Sequence, residues 1–188
     1  GHIAIGYQAM RSWAGLTTPH INASIAIGYM AMYSSTQGSH NVSIGAESMY
    51  ESEDGSENVA VGPQVAKKTK PNRCVLIGIS ISANIESPEY MEDNVIIGYR
   101  ACRSGPSVPG CQRNVIIGSN ACPLIASANN NTMIGSKTGT TLTTGSQCCL
   151  YGSFTNVTSS DAVNRGAFGY GISNPADNTT IIGNGNTT

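Results

Sequence analysis

Short apolar segments recur along the chain, and each one ends at a glycine. The clearest are residues 94–98 and 114–118, which both read Asn-Val-Ile-Ile-Gly. Eleven glycines, called the repeat glycines below, end these segments: Gly6, Gly28, Gly45, Gly62, Gly78, Gly98, Gly118, Gly135, Gly152, Gly169 and Gly183. Successive repeat glycines are 22, 17, 17, 16, 20, 20, 17, 17, 17 and 14 residues apart. Periods of this size predict a solenoid, in which each repeat forms one coil stacked on the next.

The residues before each repeat glycine predict a strand with two apolar faces. Ile or Val is common one and three residues before the glycine, as at Val95 and Ile97, and this period of two with β-branched side chains is typical of a strand. The residue two before the glycine, on the opposite face, is usually apolar as well. Because the interior of a narrow coil covers only one face, we expect other copies of the chain to cover the second. The residues expected near the shared axis of this oligomer are Leu76, Ile96, Ile116, Met133, Leu150 and Ile181.

Two further patterns predict how each coil closes. Small or apolar residues three and four positions after the glycine, such as Ala101 and Cys102, predict a second short strand. The glycine between the two strands is expected to form a corner with positive φ or a close backbone contact. A recurrent Asn four residues before the glycine predicts a ladder of hydrogen bonds between coils, at Asn41, Asn58, Asn94, Asn114 and Asn131. The predicted fold class is therefore all-β, as a single solenoid domain spanning residues 1–188.

The bulk composition excludes several classes of partner. Only 11% of the residues are charged, the net charge is -1 and the pI is near 6.3, which argues against a nucleic-acid partner or an acidic membrane surface. No apolar run is long enough to cross a bilayer, so we expect no membrane insertion of this segment. The chain begins at Gly1 without a signal peptide, and we expect it to be a piece of a larger protein.

The cysteines and histidines do not form a recognisable metal or cofactor site. The six cysteines include no Cys-x-x-Cys pair, and His2, His20 and His40 stand at different positions relative to their repeat glycines. Cys102 and Cys122 occupy the same position in successive repeats, so they are expected either to stack as buried thiols or to form a disulfide. We therefore expect no metal and no cofactor, and the cysteines leave the redox compartment open.

A catalytic constellation is also missing from the sequence. Residues 135–138, Gly-Ser-Lys-Thr, lack the adjacent Gly-Lys pair of a phosphate-binding loop, and no nucleophile elbow is present. The one place to look for paired carboxylates of a glycan hydrolase is the loop from Glu86 to Asp93. The sequence therefore predicts a protein that is not an enzyme.

Candidate binding residues lie where the repeat is lengthened, because insertions in a solenoid become surface loops. The first long step contains Trp13, the only tryptophan, which is expected either to contact a partner or to cover the end of the rod. Charged runs also alternate between coils, and they are expected either to neutralise each other or to contact a receptor. The receptor-binding candidates are Trp13, His20, Glu86, Glu89, Tyr90, Arg103 and Arg113.

The repeat resembles a known family of attachment proteins. Residues 24–32, Ser-Ile-Ala-Ile-Gly-Tyr-Met-Ala-Met, are similar to the head repeat of YadA-like trimeric autotransporter adhesins, and to repeats in phage tail fibres and fibre-like proteins of large viruses. The resemblance implies a left-handed parallel β-roll in a homotrimeric rod, and the eleven repeat glycines predict about eleven coils. The repeats here are mostly longer than in adhesin heads, and these longer coils, together with the ending at residues 177–186, resemble the viral and phage fibre versions more closely.

The function predicted from the loops and the resemblance is attachment. We expect a non-enzymatic trimeric fibre or adhesin head that binds a glycan or a protein receptor on a host-cell surface. Its location would be extracellular, on a virion or on a bacterial cell surface. The alternative is a purely structural fibre spacer, with recognition elsewhere in the parent chain.

Overall fold

The computed structural model describes residues 1–13, 23–35, 38–82, 90–103 and 110–184. Within these ranges the chain forms short strands and one 3-10 helix, Arg11–Trp13. The strands are β1 (Ile3–Ile5), β2 (Ile25–Ile27), β3 (Val42–Ile44), β4 (Val59–Val61), β5 (Lys70–Asn72), β6 (Val75–Ile79), β7 (Tyr90–Glu92), β8 (Val95–Tyr99), β9 (Cys111–Gln112), β10 (Val115–Ile117), β11 (Thr132–Ile134), β12 (Cys149–Tyr151), β13 (Asn156–Val157), β14 (Gly166–Tyr170), β15 (Ser173–Asn174) and β16 (Thr180–Asn184). The predicted all-β class is confirmed.

The largest sheet of the described part contains eleven parallel strands, one from each repeat. Its order is β1-β2-β3-β4-β6-β8-β10-β11-β12-β14-β16. The repeats stack in register, so that Ile96 lies between Leu76 and Ile116, and Gly98 pairs with Gly78. Two smaller parallel sheets, β5-β7-β9 and β13-β15, form other sides of the coils. The molecule is therefore the parallel β-solenoid that the repeat predicts.

The repeat glycines form a column that requires glycine at each level. Gly98 has a φ of 142°, and a Cβ added to it would overlap the carbonyl oxygen of Gly118 in the next coil. Gly118 meets Gly135 in the same way, again with positive φ. An L side chain is therefore disfavoured both by backbone conformation and by space, which confirms the predicted corner.

The segment after most repeat glycines is a turn, and within the described residues the predicted second strand forms only as the two-residue strands β13 and β15, which follow Gly152 and Gly169. Arg100 and Cys102 both have positive φ, at 52° and 49°, which a strand does not allow. Their amides donate hydrogen bonds to neighbouring coils, from Arg100 N to Ile79 O at 2.9 Å and from Cys102 N to Ala121 O at 3.0 Å. The small residues in this segment pack inside the coil because the turn brings its backbone close to the core, with Ala101 fully buried.

The residues two before each repeat glycine point into the coil, so their assignment to a trimer interface is wrong. Ile96 is 0% exposed and Ile116 1% exposed within a single chain, and Leu76, Met133 and Leu150 are also fully buried. Strand residues alternate between faces, and in this fold the face of Ile96 is the interior one. No second chain is needed to cover these five side chains. The sixth, Ile181, is partly buried at the last described coil and packs against the same core.

The predicted asparagine ladder is present and is buried. The Asn114 amide nitrogen donates to Ala128 O at 2.8 Å, and its Oδ1 accepts from the backbone N–H of Asn131 at 3.0 Å. Cys74 and Cys148 replace Asn in this column, and Arg165 occupies it near the end. Each ladder residue satisfies backbone groups of the adjoining turn, which would otherwise be buried without partners.

All six cysteines lie within the described residues, and none of them forms a disulfide. Cys102 and Cys122 are fully buried in successive coils, and burial raises the pKa of both thiols well above the ordinary value. Of the two expectations for this pair, the structure contains the buried thiols. A buried neutral thiol is a poor nucleophile, so these side chains act as small core residues.

Candidate functional site

The outward face of the eleven-stranded sheet is apolar and exposed. It is formed by residues three before, one before and one after each repeat glycine, and is called the outer face below. Ile77 is 37% exposed and Ile79 47% exposed on β6, and Tyr99 is 43% exposed on β8. Other exposed members are Ile3, Ile5, Tyr7, Tyr29, Ile44, Val59, Tyr151, Tyr170 and Ile182. The sequence prediction of a second apolar face was therefore correct, although the two faces were assigned the wrong way round.

The outer face runs along the whole sheet. Eleven strands at about 4.8 Å spacing give a length near 50 Å, and five residues at about 3.3 Å give a width near 16 Å. The face as a whole therefore covers roughly 700 to 800 Å², of which apolar side chains form only a part because Ser119, Ser136 and Ser153 also lie on it. Since the largest apolar patch on a typical monomer is about 300 to 600 Å² and is often functional, this face is the candidate interaction surface.

Polar residues border the outer face along both sides. The upstream edge consists of the fifth residue before each repeat glycine, and it includes exposed Glu57, Arg73, Asp93 and Arg113. The downstream edge consists of the second residue after each repeat glycine, and it includes Glu47, Arg100 and Lys137. Most edge residues have positive φ, which turns the chain at both sides of the sheet. The outer face is therefore bordered by two columns that include charged residues as well as uncharged ones such as Met30 and Phe154.

Ion pairs connect successive coils along the upstream edge. Arg73 Nε lies 2.7 Å from Asp93 Oδ1, and Arg73 Nη2 also bonds to Glu92. The hydrogen bond to Arg73 lowers the pKa of Asp93 below its ordinary value. Asp93 is therefore held as a carboxylate, which does not suit the general-acid role of a hydrolase.

Further ion pairs join the acidic run to the basic run that follows it. Lys67 Nζ lies 2.7 Å from Glu47, and Lys70 Nζ lies 2.7 Å from Asp54. The hydrogen bond from Lys67 lowers the pKa of Glu47, and that to Asp54 raises the pKa of Lys70. Of the two expectations for these runs, neutralisation between neighbouring coils is the one that these contacts favour. Each partly exposed pair contributes about 0 to 1 kcal/mol.

A column of stacked aromatic and cationic side chains was missed in the sequence. The Tyr33 and Tyr50 rings stack with centroids 4.9 Å apart. The Arg11 guanidinium lies 5.5 Å from the centroid of the Tyr33 ring, and Lys67 Nζ lies 5.6 Å from that of the Tyr50 ring. All four are the fifth residue after a repeat glycine, and this shared spacing is the signal that could have revealed them. The column joins four coils at the N-terminal end through stacking and cation–π contacts.

Only some of the predicted receptor-binding residues lie in the part of the chain that the structure describes. Tyr90 is 60% exposed with Lys70 Nζ 5.9 Å from its ring centroid, and Arg113 donates from Nε to Asn130 Oδ1 at 2.9 Å. Arg103 is half-buried. Trp13 is the last residue of the 3-10 helix, and its side chain is not among those that the structure describes. His20, Glu86 and Glu89 lie outside the described residues, so no common receptor site can be built from this set.

Searches for a metal centre and for a membrane span gave no candidate in the described part of the chain. No group of three or more His, Cys, Asp or Glu residues is placed to hold a metal ion there. The same residues contain no helix that is long and apolar enough to cross a membrane.

Comparison with protein families, curated proteins and solved structures found no match to this chain. The resemblance to YadA-like head repeats therefore stays a prediction from the sequence.

Proposed function

We propose that this chain is the trimeric head or shaft of a non-enzymatic attachment fibre. The observation that carries the proposal is the exposed outer face, a continuous apolar strip along the whole sheet. Three copies side by side would bury their outer faces against one another and leave the loops on the outside of the rod. Such a rod would present each loop three times, so that weak single sites bind together with high avidity.

A second and third copy of the chain are the occupants that best fit the outer face. The strip follows the rod axis with one apolar level per coil, and a partner must offer the same spacing to cover it. A copy of the same solenoid meets this requirement at every level. The number of three copies and the left-handed winding come from the resemblance to YadA-like heads, whereas the count of about eleven coils comes from the eleven repeat glycines.

Two neighbouring isoleucines provide a matched test of the trimer. Ile117 lies half-buried on the outer face, and Ile116 lies in the core of the same strand. We expect Ile117→Asp to give a folded monomer in analytical ultracentrifugation, with the circular dichroism of the parent solenoid. Ile116→Asp should instead prevent folding, because the carboxylate would be buried without a partner. A wild-type chain that sediments as a monomer at high concentration would refute the trimer.

Attachment itself can be tested at one of the described loop candidates. We propose that the receptor is a glycan or a protein on a host-cell surface, outside the producing cell or on a virion. Tyr90→Ala, which alters an exposed side chain outside the outer face and its edges, is expected to weaken cell or glycan-array binding of the assembled protein. Leu124→Ala, at an exposed apolar residue that is also outside the outer face and its edges, serves as the control. Equal binding by all variants, or no binding by the parent, would contradict this role.

A structural spacer is the second candidate, and one observation favours it. The charged side chains near the loops are already used between coils, as in the Arg73 contacts to Glu92 and Asp93. In a spacer these pairs would only stabilise the rod, and recognition would lie elsewhere in a longer chain. Replacing Trp13, Tyr90 and Arg113 together would then leave host attachment of the parent protein unchanged.

A further inference from the structure

We propose that the two edges of the outer face meet between neighbouring copies, and that Asp93 of one copy pairs with Arg100 of the next to set their axial register. This inference rests on the proposed trimer. Beyond the trimer itself, the inference names the residues that align the copies and says which edges of neighbouring rods face each other.

Closed threefold symmetry determines which edges can meet. In a ring of three parallel rods, each copy contacts its two neighbours through different sides of the same face. The upstream edge of one copy therefore meets the downstream edge of the next. Because the ring closes without a step along the axis, residues of the same coil lie opposite each other. Asp93 and Arg100, which flank β8, are such a pair.

Arg100 is a cation without an acidic partner in the described part of its own chain. Its guanidinium lies over the Tyr99 ring, 4.9 Å from the centroid, at the border of the outer face. None of the ion pairs among the described residues includes it. The Arg100 side chain therefore lies beside the outer face, and no ion pair within the described part of its own chain neutralises its charge.

The matching position on the upstream edge carries a carboxylate that can accept a further cation. Asp93 and Glu92 share the guanidinium of Arg73, and the charge of Arg113 also lowers the pKa of Asp93, so these four groups are neutral together. Carboxylate oxygens have several acceptor positions, and Asp93 can bind a second cation while it keeps the contact to Arg73. Asp93 is therefore the group of this cluster that complements an arginine approaching from a neighbouring copy.

A shift of one coil in either direction would replace this attraction with repulsion. Arg100 would then lie opposite Arg73 or Arg113, which are the neighbouring charged residues of the upstream edge. Like charges placed directly opposite are unfavourable. The alternation of sign at Arg73, Asp93 and Arg113 therefore favours the register in which equal coils face each other.

A shift of two coils would bring Arg100 opposite Glu57 and Lys137 opposite Asp93, but it has a different cost. Two levels of apolar outer face would lose their partner at each end of the contact. A stepped contact also fails to close into a ring and leads to an open helical assembly. Zero shift is therefore the register in which an opposite-charge pair forms without loss of apolar contact and the ring can close.

Two charge reversals on the downstream edge test the pairing. Arg100→Glu would place a glutamate opposite Asp93, whereas Lys137→Glu would lie opposite Asn130, which accepts a hydrogen bond from Arg113. We expect Arg100→Glu to raise the concentration for half-assembly about threefold or more at low salt, and Lys137→Glu not to raise it. The difference should shrink at high salt because exposed charges are screened. An equal effect of both variants, or none from Arg100→Glu, would overturn the pairing.

Cross-linking tests the register independently of the energy of the pair. In a Cys149→Ser background, Asp93→Cys with Arg100→Cys should give covalent trimers on treatment with a short bis-maleimide. Asp93→Cys with Asn120→Cys, one coil away, should give far less product. Preferred cross-linking of the second pair would overturn the register, as would trimers that neither pair cross-links. A monomer in ultracentrifugation would instead show that the proposed trimer fails, which separates the two proposals.

Discussion

At the scale of single residues, the repeat glycine is the position with the strictest requirement. Gly98 combines a φ of 142° with direct backbone contact to the next coil. Either feature alone would favour glycine. Together they exclude any larger residue at the position where each coil contacts the next. The sequence signal was strong for this reason, since no other residue type meets both conditions.

Gly98→Ala is therefore expected to destabilise the solenoid by about 2 kcal/mol or more, because backbone strain adds to overlap with Gly118. Urea unfolding followed by circular dichroism would measure the change. Gly171→Asn is the matched control, since Gly171 also has positive φ but faces open space. Asn tolerates that conformation, so the control should change stability little. Equal losses in both variants would show that close stacking is not the cause.

At the scale of elements, short strands depend on side chains that connect the coils. Most strands of the large sheet have only three residues, and the asparagine column supplies bonds beside them. Asn114 bonds to backbone groups of two turns and to the Asn94 and Asn131 side chains. Because these groups are buried, the ladder keeps polar backbone atoms satisfied where water cannot reach them.

Asn114→Ala is expected to lower the free energy of unfolding by about 2 to 4 kcal/mol, because it leaves Ala128 O and Asn131 N–H buried without these partners. Asn114→Cys should cost less, since Cys74 and Cys148 already occupy the same column. Thermal or urea unfolding of the two variants would measure this order. A stability of Asn114→Ala equal to that of the parent would contradict the structural role of the ladder.

At the scale of the whole molecule, ion pairs distributed along the rod make its stability sensitive to acid. The pKa of Asp177 is lowered by the Val163 N–H and by Arg165, whose buried guanidinium lies 2.6 Å away. The pKa values of Glu47 and Asp93 are lowered by Lys67 and Arg73. Lowered carboxylate pKa values mean that the folded chain binds protons more weakly than the unfolded chain.

The melting temperature is therefore expected to be steady at mildly acidic pH and to fall as the pH decreases below about 4.5, the ordinary value for Glu47. The stabilisation is present above the unfolded pKa values and is lost as the pH passes through the lower folded values. Differential scanning calorimetry from pH 6 to 3 would measure it. Asp177→Asn should reduce the slope in this range, whereas an unchanged slope would assign the effect to other carboxylates.

Much of the fold could be predicted because the repeats can be aligned on their glycines from the sequence alone. The strands, the glycine corner and the asparagine ladder all follow from residues that return at fixed distances from Gly98 and its equivalents. The turn after the glycine was missed because its small residues fit a strand as well as a tight turn. The column of Arg11, Tyr33, Tyr50 and Lys67 was missed because its members differ in chemical type, although they share one spacing.

The candidate site was predicted in outline and misplaced in detail. Both faces of the strand are apolar, so hydrophobicity alone could not decide whether Ile96 or Ile97 pointed inward. One signal was available: Asn94 lies an even number of residues from Ile96, and a ladder inside the coil would place both on the interior face. The loop candidates could not be tested together, since several of them lie outside the described residues.

The sequence by itself determined that this protein is a parallel solenoid with two apolar sheet faces, because a repeated strand of period two admits few other arrangements. Only the tertiary structure decided which face is the core, because the turn after the glycine closes the coil on the side of Ile96 and leaves Ile97 outside. It also placed Asp93 and Arg100 at opposite borders of that exposed face. The positions of these two side chains depend on how the chain turns at each end of β8, and the spacing of residues along the sequence does not determine those turns.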